Sequence, residues 1–243
     1  MFWVMVIGLG LLAIISGMLG LGVAFAAVPF LSLFLPDLVH QVQPLTLILN
    51  GLTALFATIG FARSGYVVWR KAIGLAVVTT LAAPIGSLLA ERINQTTILY
   101  IYLVVVLFLA YTLFRPVKGD AEKSENFRMA LVWAVPISVL AGLLGIGPGF
   151  LLMPTLILLG FEAKRAAGIN AFAVTPPSFS ALIPHLGTAV WDPTLTISLI
   201  LVGAVGAFAG ARITSLYVPS GRLKQLFGIL IVVMTAYKIY TLF

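Results

Sequence analysis

Two short stretches hold the residues best suited to meet a ligand: Ser16-Gly-Met-Leu-Gly-Leu-Gly-Val-Ala-Phe-Ala-Ala-Val-Pro29 and, 125 positions further on, Ala141-Gly-Leu-Leu-Gly-Ile-Gly-Pro-Gly-Phe-Leu-Leu-Met-Pro154. Gly17, Leu19, Gly20, Gly22, Phe25 and Pro29 fall on Gly142, Leu144, Gly145, Gly147, Phe150 and Pro154 without a shift. Backbone comes close to a ligand only where no Cβ intervenes, and a helix that breaks and restarts offers N–H donors and a positive dipole end to an anion. Close helix packing is the competing explanation, because small residues also let membrane helices approach. Duplication of the whole motif, each time followed by proline, favours the broken helix. Paired glycine-interrupted apolar segments in two halves of a chain point to a transporter's binding site.

Polar residues follow each motif. Thr46, Asn50, Thr53 and Thr58 come after the first, and Asn170, Thr175, Ser178 and Ser180 after the second. Positions 46, 50 and 53 share one face of a helix. An asparagine in hydrocarbon must find partners, so Asn50 and Asn170 either tie helices together or face a hydrated cavity. Pro176-Pro177 is expected to interrupt the second helix and free backbone carbonyls. The proposed site therefore has Gly20, Gly22, Gly145, Gly147 and Gly149 as backbone lining, with Thr46, Asn50, Asn170, Thr175 and Ser178 as hydrogen-bonding side chains. Phe25 and Phe150 are expected to pack beside the breaks.

The elements that position these residues must lie in lipid. Of 243 residues, 61% are hydrophobic and 9% charged, and mean hydropathy is +1.16. No soluble core could hide that much apolar surface. Apolar segments run over about 2–19, 23–35, 44–62, 72–90, 97–114, 129–146, 148–160, 166–184, 194–211 and 225–243, which predicts eight to ten membrane segments in an all-α polytopic protein. The glycine-flanked pieces 23–35 and 148–160 are short for a crossing and are expected to be tilted, re-entrant or partial. Met1-Phe-Trp-Val has no positive charge, so the first segment is read as retained rather than cleaved.

Charge orients the segments. The gaps 63–71, 115–128, 164–165 and 212–224 hold three, four, two and three basic residues, twelve of the fourteen Lys and Arg. They fall on one side if each glycine motif forms a hairpin, and the positive-inside rule makes that side cytoplasmic. The gaps 36–43 and 185–193 are then external. Each half holds a hairpin plus three spans, so the halves are inverted. Gly65-Tyr-Val-Val-Trp69 matches Gly187-Thr-Ala-Val-Trp191, and Gly86-Ser-Leu-Leu-Ala-Glu-Arg-Ile93 matches Gly206-Ala-Phe-Ala-Gly-Ala-Arg-Ile213. The organisation is 1–115 first repeat, 116–128 cytoplasmic linker and 129–243 second repeat, forming one membrane domain.

Other classes are poorly supported. There is no cysteine, no nucleophile elbow, no zinc helix and no phosphate loop, so neither an enzyme nor a cofactor is expected. The net charge of +7 belongs to loops beside a membrane rather than to a nucleic-acid surface. No segment carries a central Asp or Glu, which leaves a coupling ion, proton or sodium, open. His185 and His40 are read as hydrogen-bonded residues near the outer surface, and Arg92 and Arg212 as snorkelling anchors.

The doubled order of Gly-x-x-Gly-x-Gly, Pro, a small-polar helix and Gly-x-x-x-Trp resembles the sulfite exporter TauE/SafE family, also called the toluene sulfonate uptake permease superfamily, over nearly the whole chain. The resemblance implies an inner-membrane carrier of bacterial type for small anions such as sulfite, sulfoacetate or other short sulfonates. The first motif departs from it at Gly22-Val-Ala-Phe25, where members often have further glycine, as in Gly147-Pro-Gly149. An anion channel and a non-transporting membrane subunit or scaffold are the alternatives, and homo-oligomerisation stays open.

Overall fold

The computed structural model describes residues 1–90, 92–94 and 125–223, with isolated positions at 97, 100, 101, 104, 107, 225, 226 and 229. The expected segments 97–114 and 225–243 lie almost wholly outside the described residues, as does 116–124 of the linker. Within them the chain is helical: α1 (Phe2–Leu19), α2 (Ala24–Leu31), a π-helical turn (Leu38–Val42) leading into α3 (Gln43–Ala62), α4 (Trp69–Ala90), α5 (Phe127–Leu144), α6 (Gly149–Leu158), α7 (Ala163–Leu182) with a short 3₁₀ turn (Ile183–His185), and α8 (Pro193–Tyr217). No strand occurs among the described residues.

Six of these helices are long and apolar enough to cross a membrane: Phe2–Leu19, Leu38–Ala62, Trp69–Ala90, Phe127–Leu144, Ala163–His185 and Pro193–Tyr217. The two that follow the glycine motifs are not. With 8 residues in α2 and 10 in α6, each reaches roughly half of a ~30 Å hydrocarbon layer at 1.5 Å per residue.

Gap residues start and stop the helices. Asp37 accepts from the Val39 and His40 N–H groups, Asn126 from Met129 and Asp192 from Leu195, so short polar side chains cap donors left bare at helix starts. At the other ends of α1 and α5, Gly20 and Gly145 take left-handed conformations, φ 64° and 66°. The next residues turn back to complete paired caps, Leu21 N–H to Ser16 O and Ile146 N–H to Ala141 O, a geometry that favours glycine.

Packing sorts the helices by burial. α3 and α7 are the inner pair: their spans are 67% and 72% buried, against 44% for the other four. They pack on each other, and the α7 span has the lowest mean hydropathy of the six, 1.2. Around them α1 lies along α8 and α5 along α4, while α3 contacts α8 and α7 contacts α4. The outward faces are rows such as Ile7, Leu11 and Ile15 on α1, or Leu201 and Val205 on α8. Polar side chains are thus hidden by apolar neighbours, as a lipid solvent demands.

Pro176 and Pro177 do not interrupt α7, which runs unbroken from Ala163 to Leu182. Pro177 has no N–H for the Ala173 carbonyl. The Thr79 hydroxyl, on α4, lies 3.0 Å from that oxygen and shares its one proton between it and the Leu75 and Ala76 carbonyls of its own helix, at 2.9 and 3.1 Å.

The basic gaps meet at one end of the bundle. The Arg212 guanidinium donates to Ser64 Oγ at 2.8 Å, Arg63 lies over the Phe208 ring, Lys164 donates to the Ser215 carbonyl at 3.2 Å, and Lys71 pairs with Glu125. Gaps 36–43 and 185–193 also meet, the Val190 N–H donating to His40 O at 2.8 Å.

Candidate functional site

The chain passes from α1 to α2 through Leu21, Gly22 and Val23, and from α5 to α6 through Ile146, Gly147 and Pro148. Gly22 and Gly147 both take left-handed backbone, φ 73° and 71°. The two crossings come together. Phe25 and Phe150, matching positions in the two motifs, stack with centroids 5.2 Å apart and planes 9° from parallel. The N-terminal ends of α2 and α6 therefore converge in the interior, where Phe25 is 1% and Phe150 0% exposed.

Asn50 of α3 sits between the crossings. A Cβ on Gly22 would overlap its Oδ1, and a Cβ on Gly147 its Nδ2. Oδ1 accepts from the Ala24 N–H at 2.9 Å, which caps α2. Nδ2 donates to Ser178 Oγ at 2.8 Å, and that hydroxyl donates to Val174 O at 2.7 Å. Thr53 Oγ1 accepts from the Val23 N–H at 3.2 Å while donating to Leu49 O. From the other side Asn170 Nδ2 donates to Gly20 O at 2.7 Å and Gly149 O at 3.2 Å. Both asparagines are fully buried.

The structure thus gathers Gly20, Gly22, Gly147, Gly149, Asn50, Asn170 and Ser178 into one connected group. It leaves three other expected residues outside that group. The Thr46 hydroxyl donates to Gln43 O and the Thr175 hydroxyl to Ala171 O, each on its own helix, and Gly145 abuts the Gln43 side chain. Thr53 is the addition, through the Val23 N–H; buried Gln43 lies with Thr46 and Gly145 outside the group. Thr53 and Gln43 continue the stripe already visible at 46 and 50, by steps of three residues at either end.

Nothing in this group carries a formal charge. Its polarity comes from amides, hydroxyls and the positive ends of two short helices, in a setting from which water is shut out and such dipoles act strongly. Among the described residues no group of three or more His, Cys, Asp or Glu could hold a metal.

Apolar spans outside, an inner helix pair carrying buried polar side chains and two short helices beginning inside the bundle define a multi-pass α-helical membrane protein. The chain belongs to the sulfite exporter TauE/SafE family, whose model matches residues 4–238. It is similar to a probable membrane transporter protein of Xylella fastidiosa (strain Temecula1), 27% identical over 95% of this chain and 92% of the relative. Another probable membrane transporter protein, YdhB of Bacillus subtilis, is 24% identical over 85% and 87% of the two chains, and ORF9 of a Sinorhizobium species is 26% identical over 83% and 80%. No solved structure matches. Membership in a transporter family means that the protein is not an enzyme, and its bacterial relatives accord with a bacterial inner, or plasma, membrane.

Proposed function

We propose that the protein is a secondary transporter, an exporter in keeping with its family's description, for small organic or sulfur-containing anions such as sulfite, sulfoacetate or other short sulfonates. The observation that carries this reading is the convergence of two helix N-termini on Asn50, with Gly22 and Gly147 bare of side chains beside it. Such a place favours negative charge without a fixed cation to hold it. Gly20, Gly149, Asn170 and Ser178 complete the site; Thr46 lies a turn before Asn50 on α3, Thr175 between Asn170 and Ser178 on α7, and Gly145 at the end of α5.

Transport follows from two inverted repeats. In this reading 1–115 and 129–243 are related by a two-fold axis in the membrane plane, and α2 and α6 are the return limbs of two hairpins. The matched packing, α1 on α8 with α5 on α4 and α3 on α8 with α7 on α4, supports it. Exchanging the conformations of the halves would open the site first to one side and then to the other. The end bearing Arg63, Lys71, Lys164 and Arg212 is cytoplasmic by the positive-inside rule.

The test is thermal stabilisation of the purified protein by sulfite, sulfate, sulfoacetate, taurine and acetate, followed by flux in liposomes. A ligand of the native state raises the melting temperature, and a carrier shows saturable flux stimulated by substrate on the opposite side. No shift with any anion would remove the anion site. Non-saturating flux without counter-stimulation would replace the carrier with a channel.

A further inference from the structure

Asn50 and Asn170 occupy matching places, yet their amides are used differently. The Asn50 amide is engaged at both ends, oxygen to the Ala24 N–H and nitrogen to Ser178. The Asn170 amide is engaged at one end only. Its nitrogen donates to the Gly20 and Gly149 carbonyl oxygens, while its oxygen is buried with no hydrogen-bond partner among the described residues. Exchanging the two ends would set the amide oxygen against two carbonyl oxygens, which are acceptors alone, so the assignment is fixed by chemistry. A planar amide keeps its oxygen close to its nitrogen, so the unused acceptor lies beside the start of α6.

An unpaired acceptor at 0% exposure is costly, and a ligand able to donate to it gains a hydrogen bond that the described residues do not supply. The helix ends nearby favour negative charge. A fully deprotonated anion without O–H or N–H satisfies the second demand and leaves the first unmet. We propose that the substrate of this site is a small anion that carries its own hydrogen-bond donor, an O–H or N–H close to the charged group, and that Asn170 Oδ1 accepts from it. The inference rests on the anion-carrier reading and narrows it. Asn170 is in this view a specificity-determining residue, separating hydroxylated or protonated anions from equally sized ones that only accept.

The experiment uses matched pairs differing by one hydroxyl: 2-hydroxyethanesulfonate against ethanesulfonate, and glycolate against acetate. Affinities are measured by calorimetry on the purified full chain. The hydroxylated member of whichever pair binds should bind about tenfold or more tightly, since a site built to pair with a hydroxyl rejects the analogue lacking it. In Asn170→Leu the two members should bind alike. Equal affinities within a binding pair in the unaltered protein overturn the donor requirement and leave the anion site standing; absence of binding by all four and by sulfite removes both. Should Asn170→Leu fail to fold, the comparison on the unaltered protein decides alone.

Discussion

Asn50 joins three parts of the chain through one side chain: it caps α2, reaches Ser178 on α7 and lies against Gly147 in the second crossing. Asn50→Leu keeps the helix apolar but strands the Ala24 N–H, a loss of about 1–3 kcal/mol for a buried donor. The expected outcome is a lower melting temperature together with weaker anion binding, read from the same thermal-shift titration; full stability with unchanged affinity would show that the amide matters to neither. The glycines give a cleaner separation. Gly147→Ala puts a methyl into the Asn50 amide at φ 71°, where a left-handed alanine costs roughly 1–2 kcal/mol, so anion affinity should drop about tenfold. Gly206→Ala, with Gly10 O at 2.9 Å and Ala13 Cβ at 3.3 Å, should lower stability and leave affinity as it was. At this scale much was legible in the residues themselves, because glycine repeated inside an apolar run, and asparagine in a membrane helix, each have few explanations. Thr46 and Thr175 were not legible. A hydroxyl in hydrocarbon bonds either to a carbonyl of its own preceding turn or to a neighbouring helix, and spacing does not separate the two.

Among the elements, α7 carries a proline pair that sequence reasoning takes for an interruption. The helix runs through the pair, and of the two carbonyls the prolines leave without an N–H, that of Ala173 has the Thr79 hydroxyl of α4 within hydrogen-bond distance. Nothing near position 176 encodes that partner, which lies 94 residues away in the chain; local rules give the defect but not its repair. Thr79→Val keeps the shape and removes the donor. A destabilisation of about 1–2 kcal/mol, or local opening of α7 in hydrogen exchange, is expected. The π-helical turn before α3 depends on Asp37 in a different way. Its carboxyl is held below the ordinary value of 3.8, first by the His40 backbone N–H and then by the His40 side chain. A depressed carboxylate stabilises the fold fully above its ordinary pKa, and that contribution is lost as pH falls through the folded value. Hydrogen exchange at Val39 and His40 should therefore show looser protection below about pH 4, and Asp37→Asn should remove the pH dependence.

The molecule as a whole offers a test of sidedness. Gly187 and Gly221 each have open space around a new Cβ, they lie in gaps assigned to opposite sides, and the chain has no cysteine of its own. An impermeant thiol reagent added to intact cells should label Gly187→Cys and spare Gly221→Cys until the membrane is permeabilised; the reverse pattern inverts the orientation.

The interleaving of the two halves also sets a timetable for synthesis. Gly20 receives its donor from a residue 150 positions later and Asn50 finds Ser178 across 128, distances a ribosome covers in roughly 6–30 s at 5–20 residues per second. Throughout that interval Asn50 and the Gly20 carbonyl lack the partners that α7 supplies. A buried polar group left unpaired in an apolar setting costs free energy, so the interior of this fold closes only once α7 has been made.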